Sequence, residues 1–207
     1  MKKLLIIAFA LGSCVQFYGQ NVDYFLTKKD NLVGLVGSDG IQIVEPKYEA
    51  IEEFDIQKKG WAKIKKGGLV GYINKEGKEV MPPVYDDIKA FDLYNKGWAL
   101  VTKNGKLGFA NEEGKLIVKP VYDEIGSFDK IRKGWSKVKL DSKYGFIDTS
   151  GEIAVPAKYD AIEGFNIYKK DLAVIKLGGK YGLINIEGIE TLAPVYDNLQ
   201  PLDNKKE

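Results

Sequence analysis

Glycines at positions 34, 71, 108, 145 and 182 are spaced 37 residues apart without slippage, and a second set falls in step at 40, 77, 114, 151 and 188. Tyr48, Tyr85, Tyr122, Tyr159 and Tyr196 keep the same period, each followed by an acid: Glu49, Asp86, Asp123, Asp160 and Asp197. Branched residues come next at Ile51, Ile88, Ile125, Ile162 and Leu199, then Phe54, Phe91, Phe128 and Phe165, with Leu202 in the fifth copy. Each copy opens on a bulky residue, Tyr24, Trp61, Trp98, Trp135 or Leu172. Such regularity restricts the chain to one kind of architecture. A short unit that cannot bury its own core is repeated and stacked on its neighbours. The copies run over about 24–60, 61–97, 98–134, 135–171 and 172–207, and together form a single repeat domain from residue 20 onward.

Within a copy the apolar residues alternate with a period of two, which predicts strands. In "WAKIKK" (Trp61 to Lys66), Ala62 and Ile64 fall on one face, and Trp61, Lys63 and Lys65 on the other. Pairs that accept positive φ follow: Gly67-Gly68, Asn104-Gly105, Asp141-Ser142 and Gly178-Gly179. These favour two-residue hairpins. The glycine inside each returning strand (Gly34, Gly71, Gly108, Gly145, Gly182) marks a bulge or a close backbone approach. The prolines near the end of the third strand are expected to stop its pairing. "VYDDIKAF" (Val84 to Phe91) reads either as an extended crossover or as one helical turn. The expected fold is all-β, five stacked three-stranded antiparallel units. An open β-solenoid is preferred, because propeller blades usually carry four strands in a longer repeat, and a five-bladed propeller is the alternative.

The repeated pattern G-[LFY]-[IV]-[ND]-x-x-G-[KE], then P-x-Y-[DE]-x-I-x-x-F, then G-W-A-x-[IV], resembles the bacterial WG repeat, also called the KWG repeat. The resemblance covers about Tyr24 to Leu202. One feature departs from the family: its naming tryptophan precedes the first glycine, where this chain has Val33, Val70, Leu107, Tyr144 and Tyr181. The resemblance implies an exported or envelope-associated repeat protein and carries over no catalytic residue.

The first nineteen residues read as a targeting leader, with Lys2 and Lys3 ahead of the apolar run Leu4 to Leu11. The run is too short to span a bilayer as a helix. Cleavage after Gly19 is the expected exit. "LGSC" (Leu11 to Cys14) offers the alternative of lipidation at Cys14, the one circumstance that would place the protein on a membrane. The expected location is therefore periplasmic, outer-surface or extracellular.

Loss of Lys2 and Lys3 lowers Lys plus Arg from 31 to 29, equal to the 29 acids, so the mature chain is formally neutral. That argues against nucleic acid, whose binding needs a positive footprint. With no histidine and one cysteine, His-based acid–base chemistry, paired nucleophiles and His/Cys zinc sites are excluded. No cofactor or metal is expected.

The Tyr-acid pairs could serve as acid–base groups, but a catalytic pair is needed once and these occur five times, which favours packing and turn capping. Asp55, Asp92, Asp129, Asn166 and Asp203 form an acidic column without the spacing of a calcium loop. The function expected is a non-enzymatic binding module for a protein or glycan at the cell envelope. The alternatives are a polysaccharide hydrolase using two carboxylates and a structural scaffold. Specificity is expected where copies differ, at Gln57, Tyr94, Ile131 and Tyr168 beside Lys59, Lys96, Lys133 and Lys170. An alternative binding row is Trp61, Trp98 and Trp135, if they are not spent covering Tyr72, Phe109 and Phe146.

Overall fold

A computed structural model describes residues 22–200, all strand, turn and loop. The leader expected over residues 1–19, with Cys14, and Leu202 and Asp203 lie outside the described residues. Five antiparallel sheets follow one another along the chain. Sheet one holds β1 (Tyr24–Lys29), β2 (Leu32–Gly37) and β3 (Gln42–Tyr48). Sheet two holds β4 (Ala50–Ile51), β5 (Trp61–Lys66), β6 (Leu69–Asn74) and β7 (Glu79–Tyr85). Sheet three holds β8 (Asp87–Phe91), β9 (Trp98–Lys103), β10 (Lys106–Asn111) and β11 (Leu116–Tyr122). Sheet four holds β12 (Glu124–Ile125), β13 (Trp135–Leu140), β14 (Lys143–Asp148) and β15 (Ile153–Tyr159). Sheet five holds β16 (Ala161–Ile162), β17 (Leu172–Leu177), β18 (Lys180–Asn185) and β19 (Glu190–Tyr196).

Four of the five units thus have four strands rather than the three expected. The segment after each consensus tyrosine is extended and crosses to the next sheet, where it pairs with the first long strand. Ala50 and Ile51 lie opposite Lys65 and Ile64, for example. The Glu49 N–H donates to the Lys65 carbonyl at 2.8 Å, and Asp123 to Lys139 at the same distance. Sheets two to five are therefore each closed by a strand drawn from the copy before it. The prolines also behave differently from expectation. β7 runs through Pro82 and Pro83 to Tyr85, and the irregularity falls in its register: Val70 pairs with Tyr85 and Tyr72 with Met81. A bulge absorbs the missing donors.

The hairpin turns have positive φ at both central residues, as at Asn104 (52°) and Gly105 (72°). That is the primed geometry suited to the right-handed strand twist.

Core residues lie between sheets. Trp61, Tyr72, Met81 and Tyr85 of sheet two pack with Ala99, Val101 and Ala110 of sheet three. Trp135, Phe146, Val155 and Tyr159 of sheet four pack with Ala173, Ile175 and Ile184 of sheet five. Every internal sheet therefore presents two faces, one with Ala, Ile or Val toward its predecessor and one with Trp and Tyr toward its successor. Among the described residues the outer face of sheet one has no predecessor packed on it, and that of sheet five no successor. The whole is an all-β repeat array of the solenoid or propeller-like kind.

Candidate functional site

The long connection that leads into β5, β9, β13 and β17 has the same form each time. Asp55, Asp92, Asp129 and Asn166 take left-handed φ of 64° to 68°, a conformation that Asp and Asn tolerate better than most residues. Each side chain accepts an N–H five residues on: Gly97 donates to Asp92 Oδ1 at 2.6 Å, and Asp171 to Asn166 Oδ1 at 2.7 Å. Gly60 and Gly134 do the same toward Asp55 and Asp129. The backbone N–H of Asp92 returns to the Trp98 carbonyl at 3.0 Å, locking the base of the loop. The acidic column thus serves to close loops.

A phenyl ring anchors each base. Phe91 meets Trp61 edge-on at 5.8 Å, Phe128 meets Trp98 at 5.8 Å, and Phe165 meets Trp135 at 6.1 Å. The indoles also cover Tyr72, Phe109 and Phe146, at 5.6, 5.2 and 5.3 Å. Trp61, Trp98 and Trp135 are buried, so they form no exposed row. Their face is a core face, and the lysines sharing it reach out along their stems. Lys137 Nζ donates to the Ile162 carbonyl at 2.8 Å, and burial lowers its pKa.

The variable column divides. Gln57 and Tyr168 face solvent, whereas Tyr94 leans on Phe109 at 5.7 Å and Ile131 packs against the core that contains Trp135. Lys59, Lys96, Lys133 and Lys170 are all exposed. The neighbouring column carries the signal that sequence reasoning missed. Ile56, Leu93 and Ile167 stand at the loop tips and are 58–63% exposed; Lys130 takes that place in the third loop. An apolar residue between the capping acid and the variable position belongs to no strand period, and that would have singled it out.

Successive loops lie against the next sheet. Lys58 Nζ pairs with Glu112 at 2.6 Å, and Asn95 Nδ2 donates to the Thr149 carbonyl at 3.4 Å. The Arg132 guanidinium lies 4.0 Å from the Trp135 ring centroid, a cation–π arrangement. The result is a ridge of four loops with a shared framework and differing tips.

The opposite end of each sheet carries the Tyr-acid pairs, whose two members part company. Tyr48, Tyr85, Tyr122 and Tyr159 enter the cores. The acids turn to the next hairpin, where Gly105 N–H donates to Asp86 Oδ2 at 2.9 Å and Asp141 N–H to Asp123 Oδ2 at 2.8 Å. Lys106 and Lys143 add bonds to Asp123 and Asp160. These lysines, then the turn amides, hold both carboxyls below the ordinary range. A carboxyl lowered in the folded state contributes stability above its unfolded value of about 4, and that contribution is lost as pH falls through the folded value. The melting temperature is therefore expected to drop below about pH 4, and to drop less in an Asp123→Asn, Asp160→Asn double variant, as followed by circular dichroism.

Serial sheets joined by exchanged strands, with one recurrent loop per sheet, define a β-repeat module. The family described as WG containing repeat matches residues 34–69, 71–106, 108–144 and 144–181, and the chain belongs to that family. No curated protein matches it. Among solved structures it is similar to Kluyveromyces lactis Hsv2, at 7% identity and TM-score 0.30, over 81% of this chain and 59% of that one. It is similar to Kluyvelomyces marxianus Hsv2 at 11% and 0.29, over 77% and 57%. For apo AztD from Citrobacter koseri the values are 13% and 0.27, over 86% and 58%. The chain thus spans less than two thirds of each of these proteins, and the likeness is too slight to carry function.

Proposed function

We propose that the protein is an exported, non-enzymatic binding module that recognises a protein or glycan at the bacterial cell envelope through the loop ridge. The observation that carries this reading is the contrast within the ridge. Four loops share the same φ values and closing hydrogen bonds, yet present Ile56-Gln57, Leu93-Tyr94, Lys130-Ile131 and Ile167-Tyr168. A fixed frame with varied tips suits recognition, and three of the four tips hold a large apolar side chain out in solvent. Tyr168 adds a rigid aromatic of the sort that dominates binding energy. The repeated acids are engaged in closing loops and capping hairpins, which leaves the hydrolase reading without a singular carboxylate pair. Export rests on the leader-like first nineteen residues.

Retention of envelope proteins and of a polysaccharide panel on immobilised protein tests the proposal. A variant combining Ile56→Ser, Leu93→Ser, Ile167→Ser and Tyr168→Ala is expected to bind at least ~10-fold more weakly, about 1.4 kcal/mol, with unchanged melting. Undiminished retention by that variant would count against the ridge, and cleavage of any polysaccharide would count against the non-enzymatic reading.

A further inference from the structure

Among the described residues, the first and last sheets of the array are open in complementary ways. Among the described residues sheet one lacks the short outer strand that β4, β8, β12 and β16 provide elsewhere, so β1 is an open edge. At the other end, Asn198 and Leu199 occupy the repeat position of those short strands, and among the described residues they pair with nothing. An open edge is a template for a further strand.

The faces match as well. In two internal cores a small residue of one sheet shares a buried cluster with the indole of the sheet before it, Ala99 with Trp61 and Ala173 with Trp135. Sheet one has Phe25 at the position of those alanines, 54% exposed. Sheet five has Leu172 at the indole position and Leu183 at the position of Phe146. There a solvent-open cavity of about 270 Å³ is lined by Leu172, Val174, Leu183 and Leu199, with Tyr168 also at its wall. One end carries a ring in place of a methyl group; the other has a hollow in place of rings.

We propose that the chain assembles head to tail, with the tail strand and outer face of sheet five in one copy completing sheet one of a second copy. The internal interfaces give the register. Ala50 opposite Lys65 and Ile51 opposite Ile64 translate to Asn198 opposite Lys28 and Leu199 opposite Thr27 of the second copy. The bonds Glu49 N–H to Lys65 O and Glu52 N–H to Lys63 O translate to Asp197 N–H to Lys28 O and Gln200 N–H to Leu26 O. Asp197 then caps the Asp30-Asn31 turn, as Asp123 and Asp160 cap theirs. Tyr159 donates to Glu190 of the next sheet at 2.6 Å, and Tyr196 would find the Gln42 amide oxygen at that place. Lysines on β1 do not protect this edge, since Lys65, Lys139 and Lys176 accept the same partner strand internally. Such an interface joins unlike surfaces, so assembly continues into a ring or filament.

Sedimentation of the protein, purified after export, tests this directly. The mass is expected to rise with concentration beyond a dimer. Phe25→Asp blocks the head and Leu199→Asp the tail, so each variant alone should sediment as a monomer. An equimolar mixture retains one good head and one good tail, and should form a dimer and nothing larger. In the unaltered protein, the amide protons of Asp197 and Gln200 should exchange more slowly as concentration rises, a readout that holds even where a variant melts early. Wild-type protein that stays monomeric at every concentration overturns the proposal, as does a mixture that remains monomeric or single variants that associate like wild type. A loop-tip variant limited to Ile56→Ser and Leu93→Ser, which leaves Tyr168 at the sheet-five cavity unchanged, should assemble normally, so failure here and failure of the binding role are separable.

Discussion

Replacing Gly108 by alanine is expected to destabilise the protein by about 3 kcal/mol or more, the upper range for overpacking against atoms that cannot move aside. A Cβ at this position would lie 2.4 Å from the Val118 carbonyl oxygen, 2.6 Å from the Pro120 nitrogen and 2.8 Å from the Lys119 carbonyl carbon. All three are backbone atoms of β11, the neighbouring strand. Relief therefore requires β10 and β11 to separate where their register already breaks, between Leu107–Tyr122 and Phe109–Val118. Gly108 has no left-handed φ, so crowding alone is the cause. Gly105 is the natural control. It sits at φ 72° with nothing within 4 Å of its would-be Cβ, so alanine there meets only the left-handed penalty of about 1–2 kcal/mol. Thermal melts should place the Gly108 variant roughly 6–12 °C below wild type, by the scaling for a chain of this size. Equal, small shifts at both positions would mean that the two strands part easily at the bulge.

The same contrast shows what the sequence makes legible. Hairpin turns and the close glycine are set by residues within one copy, so Asn104-Gly105 and Gly108 could be read directly. The exchanged strand could not. Glu124 and Ile125 are followed by a loop, and their partners Lys139 and Val138 belong to the next unit. A boundary drawn at the conspicuous tryptophan hides that pairing. The tryptophans leave two readings open in the sequence for a related reason. Trp61 alternates onto the side of Lys63 and Lys65, which looks wet in isolation, yet Phe91 packs edge-on against the indole. Periodicity reports which residues share a face and does not report what covers it. Among the candidate site residues, the variable column at Gln57 and Tyr168 was legible as variation. Its division from Tyr94 and Ile131 depends on whether Phe109 or the core around Trp135 lies close enough to lean on, and no spacing encodes that.

Truncating Tyr122 to alanine should cost roughly 3–5 kcal/mol, the range for a large aromatic removed from a core. Tyr196 at the same repeat position should cost less than about 1 kcal/mol, as for a surface substitution. Tyr122 is 6% exposed and packs in the core shared by sheets three and four, whereas Tyr196 is 47% exposed on the last strand. The two side chains follow the same local sequence, P-V-Y-D, so propensity and turn chemistry cancel in the comparison and only the neighbouring sheet differs. The measurement belongs at low concentration, where any second copy on the tail has dissociated. A hydroxyl deletion separates packing from hydrogen bonding. Tyr159→Phe removes the 2.6 Å bond to Glu190, one that also helps raise the Tyr159 pKa, after burial, and should cost about 1.5–3 kcal/mol as a bond to a charged group. Tyr122→Phe should cost much less, because Ile153 stands where Glu190 does and accepts nothing. A large loss on truncating Tyr196 in dilute monomer would show that its ring is already covered within one chain, and the stacked account of these tyrosines would fail with it.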